Sequence, residues 1–582
     1  MKILLTTLNS KYIHSALSLK YIYNNIEDID GVRVCIKEYT INENLQDIFA
    51  DIFSDTYDLI AFSCYIWNIE YIIKLCNDIK IADDNIKILL GGPEVSYESY
   101  EFMSKFGFAD FIIRDEGEVI FRKFVKAYIS NKDFSNIPSF LYRINGNITE
   151  NPYEAPIDNL ALIKGAYDIF NEDDVKDKIV YYETSRGCSY NCAYCLSSIT
   201  KKVRFFPYEK VITDIKKIVD AGAKQIKFVD RTFNFDKKRT IEIIKYLCSI
   251  DNGSINFHFE ITAHILQDDL LDILKNVRQG LFQFEIGVQS TNKQTIKSVN
   301  RIDNFDKIRE KVIKIKSFGN IHQHLDLIVG LPYEDIVSLK KSFNDVMVLR
   351  PDNLQLGFLK VLKGSPIKSM VDEYDIKYRD YSPYEVISTK FITYKEIIML
   401  KLMEEMIEDY YNSMTYNYSI NYVFDIFDGD YFDFFEKFAE FKKKNSYNKN
   451  LSRDSRFLLL YEFIKTILDI YDFKAFREFL RLDFLLMGRN RNIPLFLSNN
   501  SISPVEKKER IINFLERENI EVINKNNLTI ESFDIDIELY KIKKQILYTK
   551  TYVIFDYNRD KDFKNMVIHY FLKESSRRLP II

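Results

Sequence analysis

The chain reads as an α/β protein in three parts: a doubly wound parallel sheet, a partial (β/α)6 barrel, and a mainly helical region. Three observations predict this. Residues 1–135 alternate short apolar runs with amphipathic stretches, residues 179–382 do so again in about six units, and beyond residue 382 the apolar spacing changes to three and four. Alternation of strand and helix makes a parallel sheet, because a parallel neighbour needs a long crossover. The length, 582 residues, is also too great for one ordinary domain.

In the first part, strands are expected at 2–6, 32–38, 59–64, 86–90 and 111–114. A helix is expected over 68–81, where Ile69, Ile72, Ile73 and Cys76 share a face. Ligands of such sheets sit outside the carboxyl ends of the strands. The loops of interest are therefore 7–14, 65–68, 91–96 and 115–118. Residues 136–178 carry turn signals, among them Asn145-Gly146, and read as a connector with a small hairpin. Barrel strands follow at 179–184, 225–229, 255–261, 281–288, 324–329 and 353–360, with chemistry again expected at their carboxyl ends. Residues 383–582 predict helices at 391–411, 431–444 and 457–485 and strand-like runs at 551–555 and 566–571. The segment from Arg481 and Asp483 to Gly488 and Arg489 looks specific for a helix end, with polar groups that could face a cavity.

Composition excludes several classes. With 81 basic and 85 acidic side chains the net charge is -4, which argues against a broad nucleic-acid-binding face. No run approaches about 18 uncharged apolar residues, so no membrane span is expected. The opening apolar run is too short for a signal segment. Seven unevenly spaced cysteines do not make a disulfide framework, and the expected compartment is the reducing cytoplasm.

Three of those cysteines, Cys188, Cys192 and Cys195, have C-x3-C-x2-C spacing just past the first barrel strand. A tetrahedral zinc site needs a fourth ligand. A four-iron cluster held by three thiolates keeps one iron open to a small molecule. Four ordered barrel-mouth segments follow, ending near Phe233, Glu260, Ser290 and Pro332. Together these features resemble the radical S-adenosylmethionine (SAM) superfamily. The resemblance implies a [4Fe–4S] cluster on the three cysteines. It implies SAM on the open iron, reductive cleavage to a 5′-deoxyadenosyl radical, and a flavodoxin- or ferredoxin-type electron donor. It also implies a SAM site made of Tyr194, just before the last cysteine, Asp230 at the methionine amino group, Glu260 and Gln289 at ribose or carboxylate, and Arg301 at the carboxylate.

The leading part has Cys35, Cys64 and Cys76, but Cys35 lies inside a strand and Cys76 on an apolar helix face, so a second cluster is rejected and buried free thiols are expected. Four strand-end segments instead resemble radical SAM proteins with a Rossmann-like cobalamin-binding domain, closest to a subgroup with a carboxyl-terminal domain of unknown function. The resemblance places cobalamin against Thr7, Ser10, Tyr12 and His14, against Tyr65 and Trp67, and against Gly91, Gly92, Pro93 and Glu94. Gly91 and Gly92 would let backbone approach a large ring. No Asp-x-His-x-x-Gly motif occurs, so a cobalt bond from His14 is not expected. The implied function is methylation of an unactivated carbon or a phosphinate on a small-molecule or natural-product substrate. The alternatives are a radical rearrangement or oxidation without methyl transfer, a tRNA-modifying enzyme, and a cobalamin sensor.

Overall fold

Five β-branched, Leu-rich runs separated by amphipathic helices form the core of the leading sheet. In the computed structural model, which describes residues 1–130, 133–169, 175–427, 430–445, 451–488, 492–498, 502–518, 527–557 and 568–572, the chain divides into two compact units, Met1–Ile397 and Ile398–Ile582. The first unit opens with β1 (Lys2–Asn9), β2 (Arg33–Thr40), β3 (Leu59–Ser63), β4 (Lys87–Gly91) and β5 (Phe111–Ile113), parallel in the order β2-β1-β3-β4-β5. Both faces are covered. Leu4, Ile60 and Leu90 pack with Ile72 and Leu75 on one side, and Ile3, Leu5 and Leu89 with Phe121 and Phe124 on the other. The strand order reverses between β1 and β3, where a doubly wound sheet opens a crevice.

The expected hairpin is present and joins this sheet. β6 (Phe140–Ile144) pairs antiparallel with β5, and β7 (Asn147–Glu150) completes the edge. Asn145 and Gly146 both have positive φ, 50° and 81°, as a two-residue hairpin turn requires.

The barrel strands are β8 (Ile179–Tyr182), β11 (Gln225–Phe228), β12 (Asn256–Ile261), β13 (Phe282–Gln289), β14 (His322–Val329) and β15 (Asn353–Phe358). They are all parallel and adjacent in chain order. A small antiparallel pair, β9 (Ser185–Arg186) and β10 (Arg204–Phe205), interrupts them. Tyr182 hydrogen-bonds Asp214 on the helix Tyr208–Asp220, and Gln323 donates to Val312 O on the helix Phe305–Lys316. These residues and the packed rings of Phe228, Phe259, Phe282 and Phe284 therefore form the outer, helix-covered face. The alternate positions form the inner face. A short hairpin, β16 (Lys377–Tyr378) with β17 (Val386–Ser388), follows.

The second unit is mainly helical, with an antiparallel sheet of β18 (Leu528–Phe533), β19 (Thr551–Asp556) and β20 (Ile568–Leu572). The helix expected over 457–485 is two, Arg453–Lys465 and Ile470–Leu486. Asp469 caps the second by accepting from Tyr471 N and Asp472 N. The run 551–555 is strand, and 568–571 of the later run is strand while 566 and 567 lie outside the described residues. Arg481 and Asp483 are buried against protein partners. Arg481 is wholly buried against Glu531 at 2.6 Å, and Asp483 accepts from Tyr418 N, Ser419 N and Ser419 Oγ. Arg489 lies outside the described residues. Among the described residues no helix is long and apolar enough to cross a membrane.

Candidate functional site

Within the first unit the strand ends of the leading sheet and the barrel face a single cavity of about 1040 Å³. That is the upper end of what small-molecule sites reach. Loops after β1, β3, β4 and β5 form one wall, and Tyr181, Glu183, Arg186, Lys227, Arg231 and Gln355 contribute the other.

Seven of the ten residues expected at cobalamin line this cavity: Ser10, His14, Tyr65, Trp67, Gly91, Gly92 and Pro93. The rings of Tyr65 and Trp67 stack 4.5 Å apart at 4°, and Trp67 Nε1 donates to Leu8 O. They present a flat aromatic wall. The two glycines differ in purpose. A Cβ on Gly92 would lie 2.6 Å from Cys64 O, and its φ of +101° is one that side chains rarely adopt, so this glycine serves the chain's own packing. A Cβ on Gly91 would meet no atom within 4 Å, which leaves its face open to a ligand. His14 is held through Nδ1 by Tyr181 OH at 2.7 Å. Burial, then the charges of Lys11, Lys227 and Lys178, keep its pKa below the usual value.

The other three do not line the cavity. Thr7 is buried, with Oγ1 donating to Ser63 O and accepting from Asn68 Nδ2. Tyr12 is exposed beneath the Lys178 ammonium. Glu94 is buried and accepts from Tyr384 OH at 2.7 Å. Asn68 was missed at the sequence level. Wholly buried, it donates to Thr7 Oγ1, Leu8 O and Ser63 O and accepts from Tyr65 N, so it shapes two strand-end loops together. Its signal is an Asn opening a helix directly after a strand-end loop.

The cysteine loop is closed at its neck by β9 and β10, where Arg186 pairs with Arg204 and Ser185 with Phe205. Gly187 is required there, since a Cβ would lie 2.2 Å from Lys202 O. Backbone bonds tie the loop down at Cys188 N to Thr200 O, Ala193 N to Val299 O and Ile367 N to Ala193 O. Cys188 and Cys192 are buried and Cys195 is half-buried. Among the described residues no three His, Cys, Asp or Glu converge on one metal-ion position. A mononuclear site needs that convergence, whereas a cluster takes one thiolate per iron.

The five residues expected at SAM divide. Arg301 and Tyr194 are together at the loop: Arg301 Nη1 lies 3.1 Å from Tyr194 OH and 3.9 Å from Cys192 Sγ. Burial raises the Cys192 thiol pKa, and the Arg301 charge opposes this. Gln289 has φ +69° at the end of β13, and its buried Oε1 has no hydrogen-bond partner among the described residues. A strained backbone presenting an unsatisfied carbonyl fits a hydrogen-bonding ligand. Glu260 lies on the inner face, its pKa raised by burial and opposed by Arg231. Asp230 has another task. Wholly buried, its carboxylate accepts from Thr184 N, Thr184 Oγ1 and Ser185 Oγ, and so braces the start of the cysteine loop.

Known proteins agree with this layout. Three family models match: a B12 binding domain over residues 3–125, the radical SAM superfamily over 182–346, and a protein family of unknown function, DUF4080, over 372–555. The chain combines a B12-binding domain, a radical SAM domain and a DUF4080 domain. It is 23% identical over 344 residues to the cobalamin-dependent radical SAM methyltransferase TokK of Streptomyces tokunonensis, covering 55% of this chain and 50% of that one. It is 23% identical over 338 residues to the 2-(S-pantetheinyl)-carbapenam-3-carboxylate methyltransferase of Streptantibioticus cattleyicolor, covering 54% and 48%. The chain thus spans about half the length of these two relatives. The fold is shared with the cobalamin-dependent SAM radical enzyme OxsB, at TM-score 0.58 and 15% identity over 90% of this chain and 82% of that one.

The radical SAM domain also has a polar inner face that sequence reasoning passed over. Lys227, His258, Glu285, His324 and Asp326 come together there from four neighbouring strands. Glu285 Oε2 is 3.0 Å from Lys227 Nζ and 3.1 Å from His258 Nε2, and His324 Nε2 is 3.2 Å from Asp326 Oδ1. Burial works against the Glu285 charge, but the His258 and Lys227 partners outweigh it and hold its pKa at about 2. Burial takes His324 down to about 4, and burial with the nearby Glu285 and Glu260 charges pushes Asp326 well up. The signal was available. Parallel strands covered on both faces are usually continuous apolar runs, yet β14 alternates His322, His324 and Asp326 with apolar or helix-facing residues.

Proposed function

We propose that this protein is a cobalamin-dependent radical SAM methyltransferase acting on a small molecule, at an unactivated carbon or a phosphinate. The observation that carries the proposal is the shared cavity, with B12-domain loops on one wall and radical SAM strand ends on the other. When bound, a [4Fe–4S] cluster would supply one electron to a sulfonium and cobalamin a transferable methyl group. The chain's own residues do the rest. Cys188, Cys192 and Cys195 would hold three irons, and Arg301 would offset negative charge beside Cys192. Gln289 offers an acceptor at a barrel strand end. Gly91 leaves room for a ring edge, and the Tyr65–Trp67 stack gives a corrin an apolar face and excludes water. Two relatives named as methyltransferases support methyl transfer. A flavodoxin- or ferredoxin-type donor in the cytoplasm completes the proposal.

Trp67 is the single tryptophan of 582 residues, so its fluorescence reports this cavity alone. Anaerobic reconstitution is expected to give about four irons per chain. Hydroxocobalamin should quench Trp67 and stay with the protein through gel filtration, and methyl-labelled SAM should label a small molecule in candidate extracts. A Cys188→Ala protein that still cleaves SAM, or a colourless wild-type protein with unquenched fluorescence, overturns the proposal.

A further inference from the structure

We propose that Arg186 is a positioning residue that couples occupancy of the cavity to the cysteine loop, so that the cluster and the corrinoid bind cooperatively. This rests on the proposed cobalamin site.

The argument starts from Arg186-Gly187-Cys188. Arg186 is nearly wholly enclosed and uses four of its five N–H donors. Nη1 donates to Glu116 at 2.9 Å, Nη2 to Glu118 at 2.6 Å and to Glu183 at 2.7 Å, and Nε to Glu183 at 3.0 Å. Its guanidinium also lies over the rings of Tyr21 and Phe206. Glu116 and Glu118 flank Gly117, the first residue of the helix Gly117–Ser130, and both carboxylate-bearing residues line the cavity together with Glu183 and Arg186. Pressure from an occupant on this wall therefore falls on the guanidinium.

On the other side there is no slack. Gly187 is packed against Lys202 O and Cys188 N is bonded to Thr200 O, so a shift of Arg186 moves Cys188. Glu116 strengthens the link, because it also holds Arg204 by two hydrogen bonds, one of 3.2 Å. Arg186 and Arg204 are the facing residues of β9 and β10. One carboxylate from the B12-binding domain thus clamps both strands at the neck of the cluster loop. A fork with several fixed donors does this, and a lysine ammonium does not.

The test is equilibrium dialysis of hydroxocobalamin against the full chain, with and without its reconstituted cluster. Linkage makes the affinity ratio the coupling itself. In the wild type the cluster-loaded protein is expected to bind about fivefold or more tightly. In Arg186→Met and Glu116→Gln the ratio should fall to about one, while Arg186→Lys should not restore it. A purely structural role would change both affinities and leave the ratio. Glu116→Gln keeps the arginine and decides the matter if Arg186→Met fails to fold. A wild-type ratio of one, or a wild-type ratio retained in Glu116→Gln, overturns the coupling. Wild-type protein that binds no hydroxocobalamin in either state overturns the cobalamin reading itself, and the coupling with it.

Discussion

Both units bury charge, and they treat it differently. In the second unit Arg481 meets Glu531, Lys507 meets the same carboxylate, and Asp483 accepts three hydrogen bonds from the start of one helix. Each of these groups meets a partner of the same unit, although Arg481 Nε and Arg456 Nε find none among the described residues. In the radical SAM domain such unmatched atoms are more numerous among the described residues. Gln289 Oε1, His258 Nε2, His324 Nε2 and Asp326 Oδ1 are buried without a well-formed hydrogen bond among the described residues. Buried polar atoms are rarely left so, and when they are, a ligand or water is the usual reason. The second unit spends its buried charge on its own packing, whereas the inner barrel face keeps hydrogen-bonding capacity to spare.

The largest expected effect tests the architectural half. Arg481→Met should destabilise the second unit by about 3 kcal/mol, the cost of stranding part of a buried ion pair, without changing iron or corrinoid content. Denaturant unfolding with iron analysis checks it, and lost iron at unchanged stability would erase the contrast. The next tests the other half. His324 is depressed from 6.5 to about 4, so between those values the unfolded chain holds a proton the folded one lacks. Stability should therefore fall as pH drops from about 6.5 to 4, by about 3 kcal/mol in all. Asp326, shifted upward, works in the opposite direction. His324→Gln should make acid unfolding shallower in that window, and an unchanged pH profile would refute it. The smallest effect separates the two glycines. Gly92→Ala should cost about 1–3 kcal/mol, whereas Gly91→Ala should keep stability within about 0.5 kcal/mol and weaken corrinoid retention. Equal melting temperatures for the two variants would contradict the geometry.

How much was legible in the sequence follows from range. All eleven parallel strands of the two sheets show as local apolar runs, and the cysteine loop shows as spacing, because both are properties of neighbouring residues. The joining of β6 to β5 is a distant pairing, and nothing in 136–150 names its partner. Asp230 illustrates a second limit. A carboxylate at a strand end reads the same whether it faces a ligand or backbone, and only the fold shows that Thr184 and Ser185 have taken it. Trp67 and Gly91 line the strand-end cavity, while Thr7, Tyr12 and Glu94, in the same loops, do not. Loop position is visible in sequence, and the direction of a side chain within a loop is not.

The brace on the cysteine loop has a consequence for maturation. Asp230 belongs to the segment after β11, Val299 to the segment after β13, and Ile367 to the segment after β15, and all three hold the loop through hydrogen bonds that need no iron. The thiols are therefore presented by a finished barrel. Small zinc modules gain their fold from the metal. Hydrogen bonds of this kind form without a metal, so iron starvation is expected to leave folded chains without a cluster, which iron analysis beside a folding probe checks.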